Sequence, residues 1–294
     1  MPDIPVLHVT GETIAVAYEN ALLELGRGGV PMPTQYDRPG DPPSLDATVN
    51  ITVADPWADP MIHKAFPGGI EDLREYVMEL CGAKDHWVKY LDDPTDTRWE
   101  YTYHQRLADW GSWRQRSPQA AGRPGSGVNQ LRAVVDKLAR EPSTRQAQMV
   151  TWMPTVDPGA YDPPCLQSLW YRLTEGEGCR RLQCNVRFRS NDAWGAAFMN
   201  MFGFTHFNRL LVADPLEERL GKRVELGRLN WQADSFHIYG KDRRAFEERL
   251  LRRIGCTSLE DRVYRFRDPA IQEMWNEAEG SVRAKIERHD REHG

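Results

Sequence analysis

The chain of 294 residues has only five cysteines, Cys81, Cys165, Cys179, Cys184 and Cys256. An odd number without a CxxC pair predicts neither a disulfide framework nor a thiolate zinc site. The eight histidines show no HExxH, and the one H-x3-H pair, His289 and His293, stands in the charged tail with no cysteine close to it in sequence, so metal ligation by imidazole is not expected either. No apolar run approaches the roughly 18 residues of a membrane helix. The N-terminus, "MPDIPVLHVTGETIAVAYENALLELG", lacks the basic start and continuous apolar block of a secretory signal. A reducing cytoplasm is the default expectation. A basic excess is missing too: the formal charge is -5, which argues against a dedicated nucleic-acid binder. Small anions are a different matter, because a few converging arginines suffice to bind them. Repeats and low-complexity tracts are absent.

What is present is a globular composition, 40% apolar and 10% aromatic, enough for one large domain, taken as residues 1–294. Helical spacing marks residues 13–25, the segment "GGIEDLREYVMELCG", "VNQLRAVVDKLAR" and "DRRAFEERLLRR". Strands are expected at "ATVNITVAD", "QAQMVTW", "LQSLWYRL", "RRLQCNVRF" and "RLNWQADSFHIYG". Residues 26–46, dense in Gly, Pro and Asp, read as a loop. The stretch from Asp192 to Ala213 is apolar nearly all round and predicts a core helix, with Asn200 as a buried amide in need of partners. The tail "EAEGSVRAKIERHDREHG" reads as a solvated helix or frayed end. Irregular alternation of these pieces predicts an α+β fold with a mixed sheet.

Several residues carry candidate chemistry. Cys165, directly after two prolines in "DPPCLQSLWYRL", is either a core thiol or a nucleophile, and a nearby arginine would favour its thiolate. Arg38, Arg145, Arg189 and Ser190 have the guanidinium forks and hydroxyl of a phosphate cage. His237 and Tyr239, two apart, share a strand face and are either a satisfied pair or a hydroxyl clamp. Glu75 is either a solvated helix residue or a proton relay.

The succession "STRQAQMVTW", "PPC", "RSND", an asparagine eight residues after that aspartate, and "HIY" resembles the thymidylate synthase superfamily, including its cytidylate hydroxymethylases. The likeness covers residues 140–240 well and the region from "YDRPGD" to "GAKDHW" loosely. It implies a mixed sheet ringed by helices and packed at a homodimer interface. The implied substrates are a pyrimidine nucleoside monophosphate and 5,10-methylenetetrahydrofolate. Carried over, Cys165 is the nucleophile that adds to C6 of the base. Arg189 and Ser190 hold the phosphate, Arg145 reaches it from the partner subunit, and Arg38 is the phosphate-loop arginine. His237 and Tyr239 hold the ribose 3'-hydroxyl, Glu75 organises proton transfer, Asp192 meets the pterin, Asn200 meets the base, and Tyr103 lies near the thiol. Two positions depart from the pattern: Leu166 replaces the histidine after the cysteine, and Ala196 replaces a glycine. The charged tail, a poor plug against water, favours hydroxymethylation over methylation, and "RSND" resembles the cytidylate hydroxymethylases and favours (d)CMP. Asn200 stands against cytosine, because in thymidylate synthases this asparagine meets uracil O4 and N3, whereas the phage-type cytosine enzymes place aspartate there. Methylation or hydroxymethylation of (d)UMP is the alternative, and a non-catalytic nucleotide-binding regulator is the alternative of another class.

Overall fold

The computed structural model describes residues 3–89, 95–111 and 127–293. The strands are β1 (Val6–Gly11), β2 (Val30–Met32), β3 (Ser44–Val53), β4 (Ile62–His63), β5 (Ala147–Val150), β6 (Leu166–Glu175), β7 (Arg180–Phe188), β8 (Asn191–Asp192), β9 (Val224–Ile238) and β10 (Val263–Tyr264). The main sheet runs β1-β3-β9-β7-β6-β5, with β2 added against β3 and β8 against β9. Its pairs β1/β3 and β7/β9 are parallel, whereas β3/β9, β6/β7 and β5/β6 are antiparallel. This is the mixed sheet of the expected α+β class. Residues 26–46 are only in part a loop: the helix before them runs on to Gly28, and Val30–Met32 pairs antiparallel with Ser44–Asp46. The pairing satisfies backbone groups that turn-rich composition conceals.

One face of the sheet is apolar because alternate residues of β3 and β9 point the same way. Val49, Ile51, Val53, Leu229, Trp231 and Ala233 are all within 1% of full burial. Against them lie α1 (Ile14–Gly28), capped by Thr13, and α2 (Ile70–Leu80). Shorter helices α3 (Tyr103–Ala108) and α4 (Gln130–Arg140) follow, and α5 (Ala197–Phe207) occupies the middle of the core. Phe198, Phe202, Phe204 and Phe207 are buried around its circumference, each contributing about 1.5–3 kcal/mol of burial. The helical run begins at Ala197 rather than Asp192, since Asn191 and Asp192 pair with Phe236 and His237 as β8. It continues through a π-helical turn, Asn208–Ala213, into α6 (Asp214–Leu220).

The opposite sheet face is polar, carrying Asn50, Asn185, Arg187, Asn230, Gln232 and Asp234 in adjacent registers. The tail also differs from expectation. Pro269–His293 is one helix whose residues Ile271, Trp275, Ala278 and Val282 form a buried stripe. Those positions recur at helical spacing, so a segment charged on average has one apolar side. That side packs on α2, with Arg74–Glu279, Ser281–Glu71 and Lys285–Glu75 contacts along the seam. No helix among the described residues is long and apolar enough to cross a membrane.

Candidate active site

Cys165 ends the loop that enters β6, half-buried and packed against the core. The loop is held by a buried ion pair: Arg106 donates to both oxygens of Asp157 at 2.9 and 3.1 Å and to the Thr151 carbonyl at 3.2 Å. Asp157 in turn accepts from the Met153 amide. Arg189, at the end of β7, clamps the approach from the other side. Its amide donates to the Cys165 carbonyl at 2.8 Å, Nε to the Pro164 carbonyl at 3.0 Å, and Nη2 to the Pro163 carbonyl at 2.6 Å. The two prolines contribute no amide donors here but offer both carbonyls to one guanidinium. Burial pushes the Cys165 thiol up, the Arg189 cation pulls it down, and Asp162 adds to the rise; the net direction is upward.

Tyr103 lies beside the cysteine, its hydroxyl accepting from the Leu166 amide at 3.3 Å. Tyr76, Tyr101 and Tyr239 share this neighbourhood. Burial raises each phenol and a thiolate at Cys165 would raise it further. Tyr239 also feels Asp192 and Arg189, which puts the expected sugar, pterin and phosphate residues around one corner. Leu166, in place of histidine, is fully buried, so it serves the core.

His237 stacks edge-on to Tyr239, with ring centroids 4.6 Å apart. Ser235 donates its hydroxyl proton to Asp46 at 2.8 Å and lies 3.2 Å from His237 Nδ1. A serine hydroxyl has one proton, so Nδ1 donates to Ser235, and in the neutral ring Nε2 then carries the lone pair. That Nε2 is buried without a partner, as is Asp46 Oδ1. An acceptor nitrogen left open in this way suits a sugar hydroxyl. The loop bearing Arg38 borders the same corner: Tyr36 meets the Tyr239 ring at 6.2 Å, and a Cβ on Gly240 would lie 1.9 Å from the Pro42 carbonyl. Arg38 itself is exposed and near enough to Asp242 to pull that carboxyl down, although burial keeps Asp242 raised overall.

Asp192 caps the turn into α5, its Oδ1 accepting from the Trp194 and Gly195 amides at 3.0 and 2.8 Å. Its Oδ2 makes no bond to a described residue. Ser190 is half-buried, and its hydroxyl makes no hydrogen bond among the described residues. Asn200, 8% exposed, accepts at Oδ1 from the Tyr76 hydroxyl at 2.5 Å. Arg145 is brought to none of these groups within its own chain; it is exposed beside β5, and its carbonyl accepts from Trp170 on the polar sheet face.

Glu75 faces two lysines. Burial raises its carboxyl, but hydrogen bonds from Lys285 and Lys84, each 2.6 Å long, outweigh this and hold it below the usual carboxylate range. Lys84, 4% exposed, also reaches Glu79 at 3.2 Å. Glu79 stays raised because burial exceeds the help from Lys84. The sequence reading missed Tyr76, Lys84, Glu79, Asp46 and Ser235. Glu79 lies one helical turn after Glu75, a usable signal, whereas Tyr76 adjoins Glu75 on a different side of the helix; Asp46 and Ser235 meet only through sheet pairing. A separate cleft of about 510 Å3 is lined by Arg181, Arg209, Arg223 and Arg267 together with three acids, Asp55, Glu217 and Glu225.

The thymidylate synthase family profile matches residues 73–262. Proteins of Methanosarcina barkeri and Methanosarcina acetivorans, each described as "Putative thymidylate synthase", are 27% and 29% identical over 192 residues, 65% of this chain and 72% of theirs. A protein of the same description from Methanothermobacter marburgensis is 32% identical over 113 residues, 38% of this chain and 46% of its own. The chain belongs to the thymidylate synthase family, one-carbon transferases that act on a pyrimidine nucleotide with 5,10-methylenetetrahydrofolate as co-substrate.

Proposed function

We propose that the chain, acting as one catalytic domain in a homodimer, transfers a one-carbon unit to C5 of a pyrimidine nucleoside 5'-monophosphate. The observation that carries this reading is the Arg189 clamp, which ties a phosphate-binding candidate to the two residues before Cys165. Sγ of Cys165 adds to C6, making C5 a carbon nucleophile. The one-carbon unit supplied by 5,10-methylenetetrahydrofolate joins C5; loss of the C5 proton with cleavage of the bond from that carbon to folate nitrogen releases tetrahydrofolate and leaves an exocyclic methylene. Arg189, Ser190 and Arg38 bind the phosphate with Arg145 of the partner subunit, His237 and Tyr239 the sugar, Asp192 the pterin and Asn200 the base. The polar sheet face, with Asn50 Oδ1 buried and unpartnered on it, supports pairing of two copies there.

Water capture of the methylene, giving a 5-hydroxymethyl product, is the ending supported by the ionic cluster of Glu75, Glu79, Lys84 and Lys285, since charged groups retain water. The sequence favours (d)CMP as substrate through "RSND". Asn191 of that motif accepts from the Trp231 indole inside the sheet at 3.1 Å, so choice of base falls to Asn200. Methylation, the second reading, is favoured by the tyrosines around the thiol, which limit water. The test is release of tritium from C5-labelled CMP, dCMP, UMP and dUMP with methylenetetrahydrofolate, with products identified by mass. Release that disappears in Cys165→Ser is expected. Failure with all four nucleotides would reject the reading, and dihydrofolate formed in step with product would select methylation.

A further inference from the structure

We propose that Tyr76 fixes the orientation of the Asn200 amide and so selects pyrimidine nucleotides with an oxygen, rather than an amino group, at C4. This rests on the reading of the Cys165 pocket as a nucleotide site. Uracil presents an acceptor at position 4 and a donor at position 3, and cytosine reverses both. An asparagine can serve either base, but only by turning its amide over, because oxygen accepts and nitrogen donates.

In this protein the amide is not free to turn. The Tyr76 hydroxyl lies 2.5 Å from Oδ1 of Asn200. A phenol proton in a largely dry site needs an acceptor, and within that amide only the oxygen is one. Turning the amide would set the NH2 group against the hydroxyl and leave that proton unpaired. Oδ1 keeps a second lone pair for a ring N–H, and Nδ2 donates to an oxygen at C4. Both match uracil; for cytosine, donor would face donor at position 4.

Tyr76 is itself held in place. Its ring lies across α5 over Gly203, where an added Cβ would come within 2.6 Å of ring carbon Cδ1. Gly203 is one helical turn beyond Asn200, so the residue that admits the ring and the residue it addresses share one helix face. The neighbouring carboxylates do not replace the tyrosine: Glu75 is engaged by Lys84 and Lys285, and Glu79 by Lys84.

The experiment measures equilibrium binding of UMP, dUMP, CMP and dCMP to the full chain and to Tyr76→Phe, which keeps the ring and loses only the hydroxyl. The wild type is expected to bind the 4-oxo pair roughly 10- to 100-fold tighter than the 4-amino pair, the range for leaving a buried polar group unpaired. In Tyr76→Phe that ratio should fall about tenfold or more, mainly through stronger binding of CMP and dCMP. Asn200→Asp, which offers only acceptors when ionised, should move preference to the 4-amino pair. A merely structural role for Tyr76 would weaken all four ligands alike and leave the ratio unchanged, and that result overturns the inference alone. Equal or tighter binding of the 4-amino pair by the wild type overturns it too. Absence of binding by all four nucleotides overturns the nucleotide reading and the inference together.

Discussion

At the scale of single residues, this site depends on hydrogen bonds that fix which atom of an ambiguous group faces the ligand. Asp46 and Ser235 do for His237 what Tyr76 does for Asn200: the chain Asp46, Ser235, His237 leaves Nε2 as the acceptor. Ser235→Ala removes the partner of Nδ1 and lets the other tautomer compete. The nucleotide KM should then rise roughly 3- to 10-fold, about one hydrogen bond's worth, with kcat little changed. Steady-state kinetics with a 3'-deoxynucleotide provide the control, because that analogue has no hydroxyl for Nε2 and should show no difference between variant and wild type. Cys165, His237 and Tyr239 were legible in the sequence because they lie in short contiguous motifs. Ser235 lies within two residues of His237, yet its importance depends on Asp46, which β3 brings to β9 from far away in the chain.

At the scale of elements, the C-terminal segment is joined to the rest by a buried polar knot. Arg262 donates to both oxygens of Glu19 on α1, at 2.7 and 2.9 Å, and His63 Nε2 lies 2.8 Å from the same carboxylate. The Ala65 amide donates to His63 Nδ1, so Nε2 is the protonated nitrogen and donates to Glu19. Burial raises the Glu19 carboxyl, but the His63 and Arg262 bonds outweigh it and bring it down to about 2, from 4.5. Because the folded value is the lower one, the stabilisation is complete above about pH 4.5 and is lost as pH falls towards 2. The shift corresponds to up to roughly 3 kcal/mol. Urea unfolding between pH 6 and pH 3 should show this loss in the wild type, and Glu19→Gln should flatten that part of the profile while lowering stability at pH 6. The knot anchors the segment preceding the terminal helix, whose apolar stripe at 271, 275, 278 and 282 the sequence contains but its average polarity hides.

At the scale of the whole molecule, the arginine that the family resemblance assigns to the phosphate site is exposed and far from forming it within one chain. If Arg145 acts across a dimer, Arg145→Ala and Cys165→Ser are each inactive alone, yet a re-equilibrated mixture regains about a quarter of wild-type activity. Half the dimers are then mixed, and each contains one intact site built from both chains. No recovery, measured by tritium release after unfolding and refolding together, would show that Arg145 serves its own chain, and full activity of Arg145→Ala alone would show that it serves no site. The fold class, most strands and helices, and the motif around Cys165 are legible in the sequence, because periodicity and short-range spacing are written residue by residue. Only contacts between distant segments establish that Asn191 supports the sheet, that Glu75 is clasped by two lysines, and that the Tyr76 hydroxyl meets Oδ1 of Asn200. Those outcomes depend on which side chains meet across distant segments, and a donor's direction is set only when its acceptor is in place.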